Sequence, residues 1–204
     1  MINQSNIMKV AIISSGIVNI NTFLKKQIQF LISNYNASIT IITNTSANEE
    51  LYKELKNLNV KLINIELERK PNIFVDLLTL INLTILLKKS NFDMTITITP
   101  KAGFLGSLAS FLKRIPIRIH IFTGQVWVNQ KGLLRNLLKI TDKIIYTLST
   151  KTLIDSESQK DFLIKEKVIK DMDSDVILNG SICGVDVDKF KPNPDLKKKI
   201  REEI

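Results

Sequence analysis

The sequence predicts a doubly wound, Rossmann-like α/β domain on a parallel sheet of about seven strands. Short runs rich in Ile and Val alternate with longer segments of helical period, as successive β-α-β units require. Only seven Gly and five Pro occur in 204 residues, and no Gly-, Ser- or Pro-rich tract divides the chain before Pro192–Pro194. With 44% hydrophobic residues, a chain of this length buries one large core.

The strands fall at Met8–Ser14, Ser38–Thr43, Val60–Ile65, Asp93–Ile98, Ile117–Phe122, Thr152–Asp155 and Asp175–Leu178. Between them lie helices near Asn21–Ser33, Asn48–Leu58, Ile73–Lys89, Gly103–Lys113, Gly132–Ser149 and Glu157–Lys165. Leu105, Leu108, Ala109 and Leu112 recur at helical spacing, and Pro116 ends that helix while freeing Ile117 to start a strand. Ser156 is placed to cap the helix that Glu157 begins. The longest apolar stretch, Ile73–Leu87, is interrupted by Asp76, Asn82 and two threonines. It falls short of the ~20 residues of a membrane span and reads as a helix lying on the sheet. Gly132–Ser149 sets a broad apolar face, from Leu133 to Ile145, against Lys131, Arg135, Lys139 and Lys143. A helix covering the sheet and a helix lying in a membrane interface share this pattern.

Composition excludes several classes. The one cysteine, Cys183, forms no internal disulfide, and without a Cys/His cluster no metal site is predicted. A polar start at Met1–Asn6, and only a short apolar run after Lys9, predict a protein without a secretory signal that stays in a reducing cytoplasm. The net charge of +9 favours an anionic partner, either a membrane surface or a phosphate-bearing substrate, unless it reflects a bias toward Lys, Asn and Ile. Nucleic acid fits poorly: there is no recognition-helix signature, and the 6% aromatic content offers few stacking platforms.

In open sheets of this kind, ligands bind outside the carboxyl ends of the strands, so the loops after Ser14, Ile98, Phe122, Asp155 and Leu178 are the candidates. In the first, Ser15 and Gly16 lead into a helix whose free N–H groups suit a phosphate or hydroxyl; a tight turn with no ligand is the alternative. No GxGxxG or GxxxxGK[ST] pattern occurs, which argues against a nicotinamide cofactor and an ATPase. The second loop reads Thr99-Pro100-Lys101-Ala102-Gly103-Phe104-Leu105-Gly106. Pro100 fixes the strand exit, and Gly103 and Gly106 permit close approach of helix to sheet. Lys101 is expected either to point into the crevice or to be a solvated lysine at the helix start.

The third segment, Arg118–Trp127, is a strand and its loop, with Thr123, Gly124 and Gln125 at the tip. His120, the only histidine, shares a strand face with Arg118 and Phe122, which favours a structural role over a catalytic one. Thr123 cannot act as a general base near neutral pH. Trp127 is expected to stack on a ligand, to shield the cleft, or to anchor a core or domain interface.

These segments, taken in order, resemble the family 4 glycosyltransferases of the two-domain GT-B fold that build bacterial surface polysaccharides. Pro100–Gly106 resembles their Pro-Lys-Ala-Gly-x-x-Gly turn. Arg118–Trp127 resembles their Arg-Ile-x-x-x-His-Gly segment in a Phe-Thr-Gly-Gln-Val-Trp variant, and Asp155-Ser156-Glu157-Ser158 their turn after the sixth strand. Asn179-Gly180, Gly184-Val185-Asp186, Phe190 and Pro192 resemble their interdomain passage, and the likeness spans Lys9 to Pro192. Thr97, Thr99 and Thr123 stand where many relatives carry histidine, so no histidine chemistry is assigned there.

The resemblance implies that residues 1–180 are the N-terminal, acceptor-binding domain, and that 181–204 are a linker and the start of a C-terminal donor-binding domain. It implies retaining transfer of a hexose-type sugar, without metal or other cofactor, from a nucleotide-sugar co-substrate to a saccharide or polyprenyl-linked acceptor. It also implies peripheral contact with an anionic membrane on the cytoplasmic side. Substrate binding is expected at Ser15, Gly16, Lys101, Gly103, Thr123, Gly124, Gln125, Asn179 and Gly180; no catalytic residue is assigned. A chain carrying only this half is expected to be inactive alone. A non-catalytic subunit that recruits a separate donor-binding chain is the alternative, and an unrelated flavodoxin-like or nucleotide-binding module is a third reading.

Overall fold

The computed structural model describes residues 7–45, 49–67, 72–170, 174–177, 179–185, 187–188 and 190–203. Met1–Asn6, Asn48, Leu178, Asp186 and Ile204, which figure in the sequence expectations, lie outside them. The strands are β1 (Lys9–Ser14), β2 (Ser38–Thr43), β3 (Lys61–Asn64), β4 (Met94–Ile98), β5 (Ile117–Phe122), β6 (Lys151–Ile154) and β7 (Ser174–Val176). The helices are α1 (Ile17–Phe23), α2 (Lys25–Tyr35), α3 (Glu49–Lys56), α4 (Ile73–Ser90), α5 (Pro100–Leu112), α6 (Gly132–Leu148), α7 (Glu157–Lys165) and α8 (Pro194–Glu203). The fold class is as predicted: one seven-stranded sheet in the order β3-β2-β1-β4-β5-β6-β7, parallel throughout.

The core follows from the period of two along each strand. Val10 and Ile12 of β1 pack with Ile17, Ile20, Leu24 and Ile28 of the first helical region and Leu55 of α3. Ala11 and Ile13 face the other way, onto Leu83 and Leu87 of α4 and Ala102, Leu105 and Ala109 of α5. A third cluster joins Phe122, Trp127, Ile145, Ile154 and Leu163 at the β5–β6 end. Parallel strands buried on both faces account for the nearly continuous Ile and Val runs.

Strand ends shift from expectation by a residue or two, with β3 at Lys61–Asn64, β6 at Lys151–Ile154 and β7 at Ser174–Val176; the two larger differences are at helix starts. The first helix begins at Ile17, not Asn21, because Ile17 and Ile20 are drawn into the core despite the weak helix propensity of Val18 and Asn19. It also divides at Leu24, whose φ and ψ are −120° and −2°. Leu24 N–H still donates to Ile20 and Ile28 N–H to Leu24, both at 2.8 Å, so this is a kink that keeps Leu24 buried, not a loop. The second difference is α5, which begins at Pro100 rather than Gly103, with proline in the first turn where its missing N–H costs nothing. Ser156 caps α7 as expected, accepting from Gln159 N–H at 3.2 Å.

Helix and sheet approach closely at Gly103 and Gly106. A Cβ on Gly103 would lie 2.5 Å from His120 Cε1 and 3.0 Å from Nδ1, and one on Gly106 would lie 2.8 Å from Thr97 Cγ2. The imidazole is buried and tied to Thr97 Oγ1 through Nδ1 at 2.8 Å, so it has little freedom to retreat. Gly103→Ala is therefore expected to destabilise the fold by about 1–3 kcal/mol, read from urea unfolding midpoints at unchanged slope.

Candidate functional site

Strand order reverses between β1 and β4: β2 and β3 extend one way from β1, and β4 to β7 the other. The loops leaving β1 and β4 diverge there and open a crevice at the carboxyl edge of the sheet. Ser15 and Thr99 meet across it. Thr99 Oγ1 accepts from Ser15 N–H at 3.2 Å and lies 2.9 Å from Ser15 Oγ. Thr99 reaches this position with φ +77° and ψ 147°. Positive φ is an outlier for a β-branched residue and costs about 1–3 kcal/mol, while the extended ψ is what the following Pro100 demands. The Thr99 carbonyl accepts from Gly103 N–H at 2.7 Å, so this strained residue both opens α5 and crosslinks the two loops.

Thr99 and Pro100 share a cavity of about 10 Å³ with His120, Ile121, Phe122, Thr123, Gly124 and Asp142. A space of this size holds about one water or one hydroxyl. The structure thus brings Ser15 and the Thr99 turn together, and brings Thr123 and Gly124 to the same turn from β5. Gln125 is tied to the first turn of α7, its Oε1 accepting from Gln159 Nε2 at 3.2 Å. Lys101 lies in the first turn of α5, with Nζ 2.5 Å from Asp76 Oδ1 of α4 and its side chain largely buried. Of the two readings of Lys101, the solvated one is excluded; Gly103 serves the packing of α5 on His120.

The passage after β7 docks onto the site's edge through Asp155. Asp155 accepts from Ser181 N–H through its carbonyl at 2.7 Å and from Ile182 N–H through Oδ1 at 2.9 Å. Gly180, at φ +96°, passes so close that a Cβ would sit 2.7 Å from the Asp155 carbonyl oxygen, whereas the Asn179 side chain is exposed. Ile182 is buried in the same core cluster as Ile98 and Ile121, and its carbonyl accepts from Gln27 of α2. The passage beyond residue 180 is therefore packed against this sheet as far as Ile182.

His120 has the structural role expected. It is bonded to Thr97, its ring meets Phe122 edge-on at 4.6 Å, and burial lowers its pKa to about 3, so it is neutral. Trp127 neither faces a sugar nor shields the cleft; it is fully buried and stacks on Phe162 at 5.3 Å. Its Nε1–H donates to Asp142 Oδ2 at 2.7 Å. Burial raises the Asp142 carboxyl to about 6, partly opposed by that hydrogen bond. Asp142 was not among the sequence candidates, yet it leaves a trace there: it stands four residues after Leu138 and three before Ile145, an acid on the inward face of an amphipathic helix.

No protein-family model matches the chain. It is 29% identical over 169 residues to the capsular polysaccharide biosynthesis glycosyltransferase CapM of Staphylococcus aureus, covering 82% of this chain and 43% of that protein. It is 32% identical over 139 residues to the UDP-Gal:alpha-D-GlcNAc-diphosphoundecaprenol alpha-1,3-galactosyltransferase of Escherichia coli, covering 65% of this chain and 34% of that protein. The chain spans less than half the length of these relatives. Among solved structures, a glycosyltransferase from Rickettsia africae superposes with TM-score 0.66 at 20% identity, over 97% of this chain and 49% of that one. The UDP-GlcNAc 2-epimerase of Methanocaldococcus jannaschii has TM-score 0.60 at 18% identity, over 84% and 46%. The solved structures establish the sheet architecture; the two sequence relatives are both glycosyltransferases.

The two buried ionisable groups act oppositely on stability. For His120, the unfolded chain binds a proton below about 6.5 while the folded state does not until about 3, so stability falls with acidification across that window. For Asp142, the folded state binds a proton below about 6 while the unfolded chain waits until about 3.8, so stability rises with acidification there. In the wild type the two slopes largely cancel between these values. Asp142→Asn is expected to match or exceed wild-type stability at pH 7.5 and then to lose about 1.4 kcal/mol per pH unit relative to it below pH 6, measured by urea unfolding between pH 4.5 and 7.5.

Proposed function

We propose that this chain is the acceptor-binding half of a GT-B glycosyltransferase resembling family 4, in which a second domain binds the nucleotide sugar. The whole enzyme transfers a hexose-type sugar, with retention, to a saccharide or polyprenyl-linked acceptor in surface polysaccharide synthesis. The observation that carries this reading is the convergence of Ser15, Thr99, Thr123 and Gly124 at the switch point of the sheet, on the edge crossed by the 179–182 passage. These are small side chains around a space that holds about one hydroxyl, suited to hydroxyl recognition.

An acceptor carried by a polyprenyl diphosphate would be presented at a membrane, and two helix ends beside the crevice suit that arrangement. Among the described residues, no helix is long and apolar enough to cross a membrane. Ile73, Phe74, Leu77 and Leu78 of α4, and Leu133, Leu134 and Leu137 of α6, are nonetheless exposed; Ile73, Phe74 and Leu133 are 83%, 82% and 88% accessible. Both helices follow strands of the parallel sheet, so these first turns lie at the carboxyl edge, with Lys131 at the N-cap of α6. Apolar tips with a flanking lysine match an anionic bilayer surface.

Mixed with a nucleotide sugar and a prenyl-diphosphate-linked saccharide, the chain alone is expected to bind the acceptor and give no transfer; supplying the C-terminal half of a relative in trans is expected to restore it. Robust transfer by the chain alone would refute the half-enzyme reading. Capture of a donor-binding chain with no transfer by the pair would favour the recruiting subunit instead. In a separate vesicle-sedimentation assay, Phe74→Glu combined with Leu133→Glu is expected to weaken binding to phosphatidylglycerol-rich vesicles at least about tenfold, since each apolar side chain contributes about 1.5–3 kcal/mol when buried.

A further inference from the structure

The pairing of Asp142 with Trp127 is more than a way to satisfy an indole N–H. A neutral acceptor would do that without placing a carboxylate in the interior, which is costly unless the charge is used. Asp142 is 5% accessible and lines the same small cavity as Thr123, Gly124, Thr99 and Pro100. Trp127 is held from several sides: the Phe162 ring stacks on it, Arg135 lies 5.1 Å and Lys139 5.8 Å from its ring centre, and Asp142 takes its N–H. The segment between Phe122 and Gly132 has no strand or helix of its own. It is tied to the body of the domain at Trp127 and, through Gln159, at Gln125.

We propose that Asp142 is a positioning residue: by fixing Trp127 it holds the Thr123–Gly124–Gln125 turn against the Thr99–Pro100 turn and so sets the shape of the acceptor side. The identity of the ligand rests on the glycosyltransferase reading; the positioning does not. The ionisable groups around the pair are few. His120 of β5 shares the cavity and is neutral. Arg135 and Lys139, from α6 itself, face the indole, and both are paired with Glu166 after α7, at 3.0 and 2.6 Å. Lys139 first and Arg135 second hold the Glu166 carboxyl below its usual range, so Glu166 stays charged while Asp142 titrates. Protonation turns a charge-assisted bond to Trp127 into an ordinary one and so changes the surroundings of the indole; because burial raises this carboxyl, acidification favours the loop in place rather than released.

Trp127 is the only tryptophan, so its emission reports on this contact directly. In the wild type, emission is expected to shift with a midpoint near pH 6, and in Asp142→Asn and Asp142→Ala to stay flat. Amide hydrogen exchange across residues 123–126 is expected to quicken about tenfold or more in Asp142→Ala while the sheet strands are unchanged, and Asp142→Asn, whose amide oxygen still accepts the N–H, is expected to restore most of the protection. Loop exchange in Asp142→Ala equal to wild type would overturn the proposal. Should Asp142→Ala not fold, Trp127→Phe keeps the ring stack and removes the donor, and the same loop loosening supports or overturns the idea. Prenyl-diphospho-N-acetylglucosamine, added to the wild type, is expected to slow loop exchange. No slowing, with the Asp142 effect intact, defeats the acceptor reading and leaves the positioning role standing.

Discussion

The close seating of α5 on β4 and β5 fixes the geometry of the whole carboxyl edge. Gly103 and Gly106 let the helix backbone descend onto His120 and Thr97, where any side chain would collide. Once the helix is that low, its first turn determines the rest. Thr99 must turn through a left-handed conformation to connect β4 to Pro100, and in doing so directs Oγ1 at Ser15. Lys101 is carried to Asp76, which in turn accepts from Asn72 N–H at 3.2 Å while Asn72 caps α4. One packing contact therefore couples the loops after β1 and β4 to the start of α4.

The same contact governs charge. His120 lies under α5 with no water to solvate an imidazolium, so it is neutral and serves as a hydrogen-bonding spacer against Thr97. Ile145 of α6 also packs at Gly103, and Asp142 lies one turn earlier on that helix. A carboxylate so placed is shielded from solvent by the sheet, the helix and Trp127, which lifts its pKa into the range where cellular pH can act on it. The chain's net charge of +9 is carried instead at the surface, where it bears on partners and not on the interior.

On the proposed reading, this crevice is one wall of a cleft. The side chains brought together are small and neutral, and the charged groups nearby are already paired with one another, Lys101 with Asp76 and Glu166 with Arg135 and Lys139. Binding of a hydroxylated acceptor needs no more than hydrogen bonds and shape from this wall. Stabilisation of a diphosphate leaving group needs unpaired cations or helix N-termini facing the ligand, and on the proposed reading the second domain supplies them.

Much of this was legible in the amino-acid order. Period-two Ile and Val runs alternating with helical stretches required a parallel sheet covered on both faces. Pro100, Gly103 and Gly106 marked a tight strand exit and a low helix, and Ser156 marked a cap; local chemistry decides such features, so they survive folding unchanged. The helix at Ile17 was hidden because burial of Ile17 and Ile20 overrode weak propensity, and Trp127 could not be placed because an aromatic serves a core and a cleft equally well. The sequence by itself determined which backbone turns are sterically possible and which faces are apolar. The tertiary structure alone decided that Ser15 meets Thr99 across 84 positions, that Lys101 is neutralised by Asp76, and that Asp142 comes to lie beneath the Thr123 turn. Those pairings depend on strand order and helix height, which no local pattern encodes.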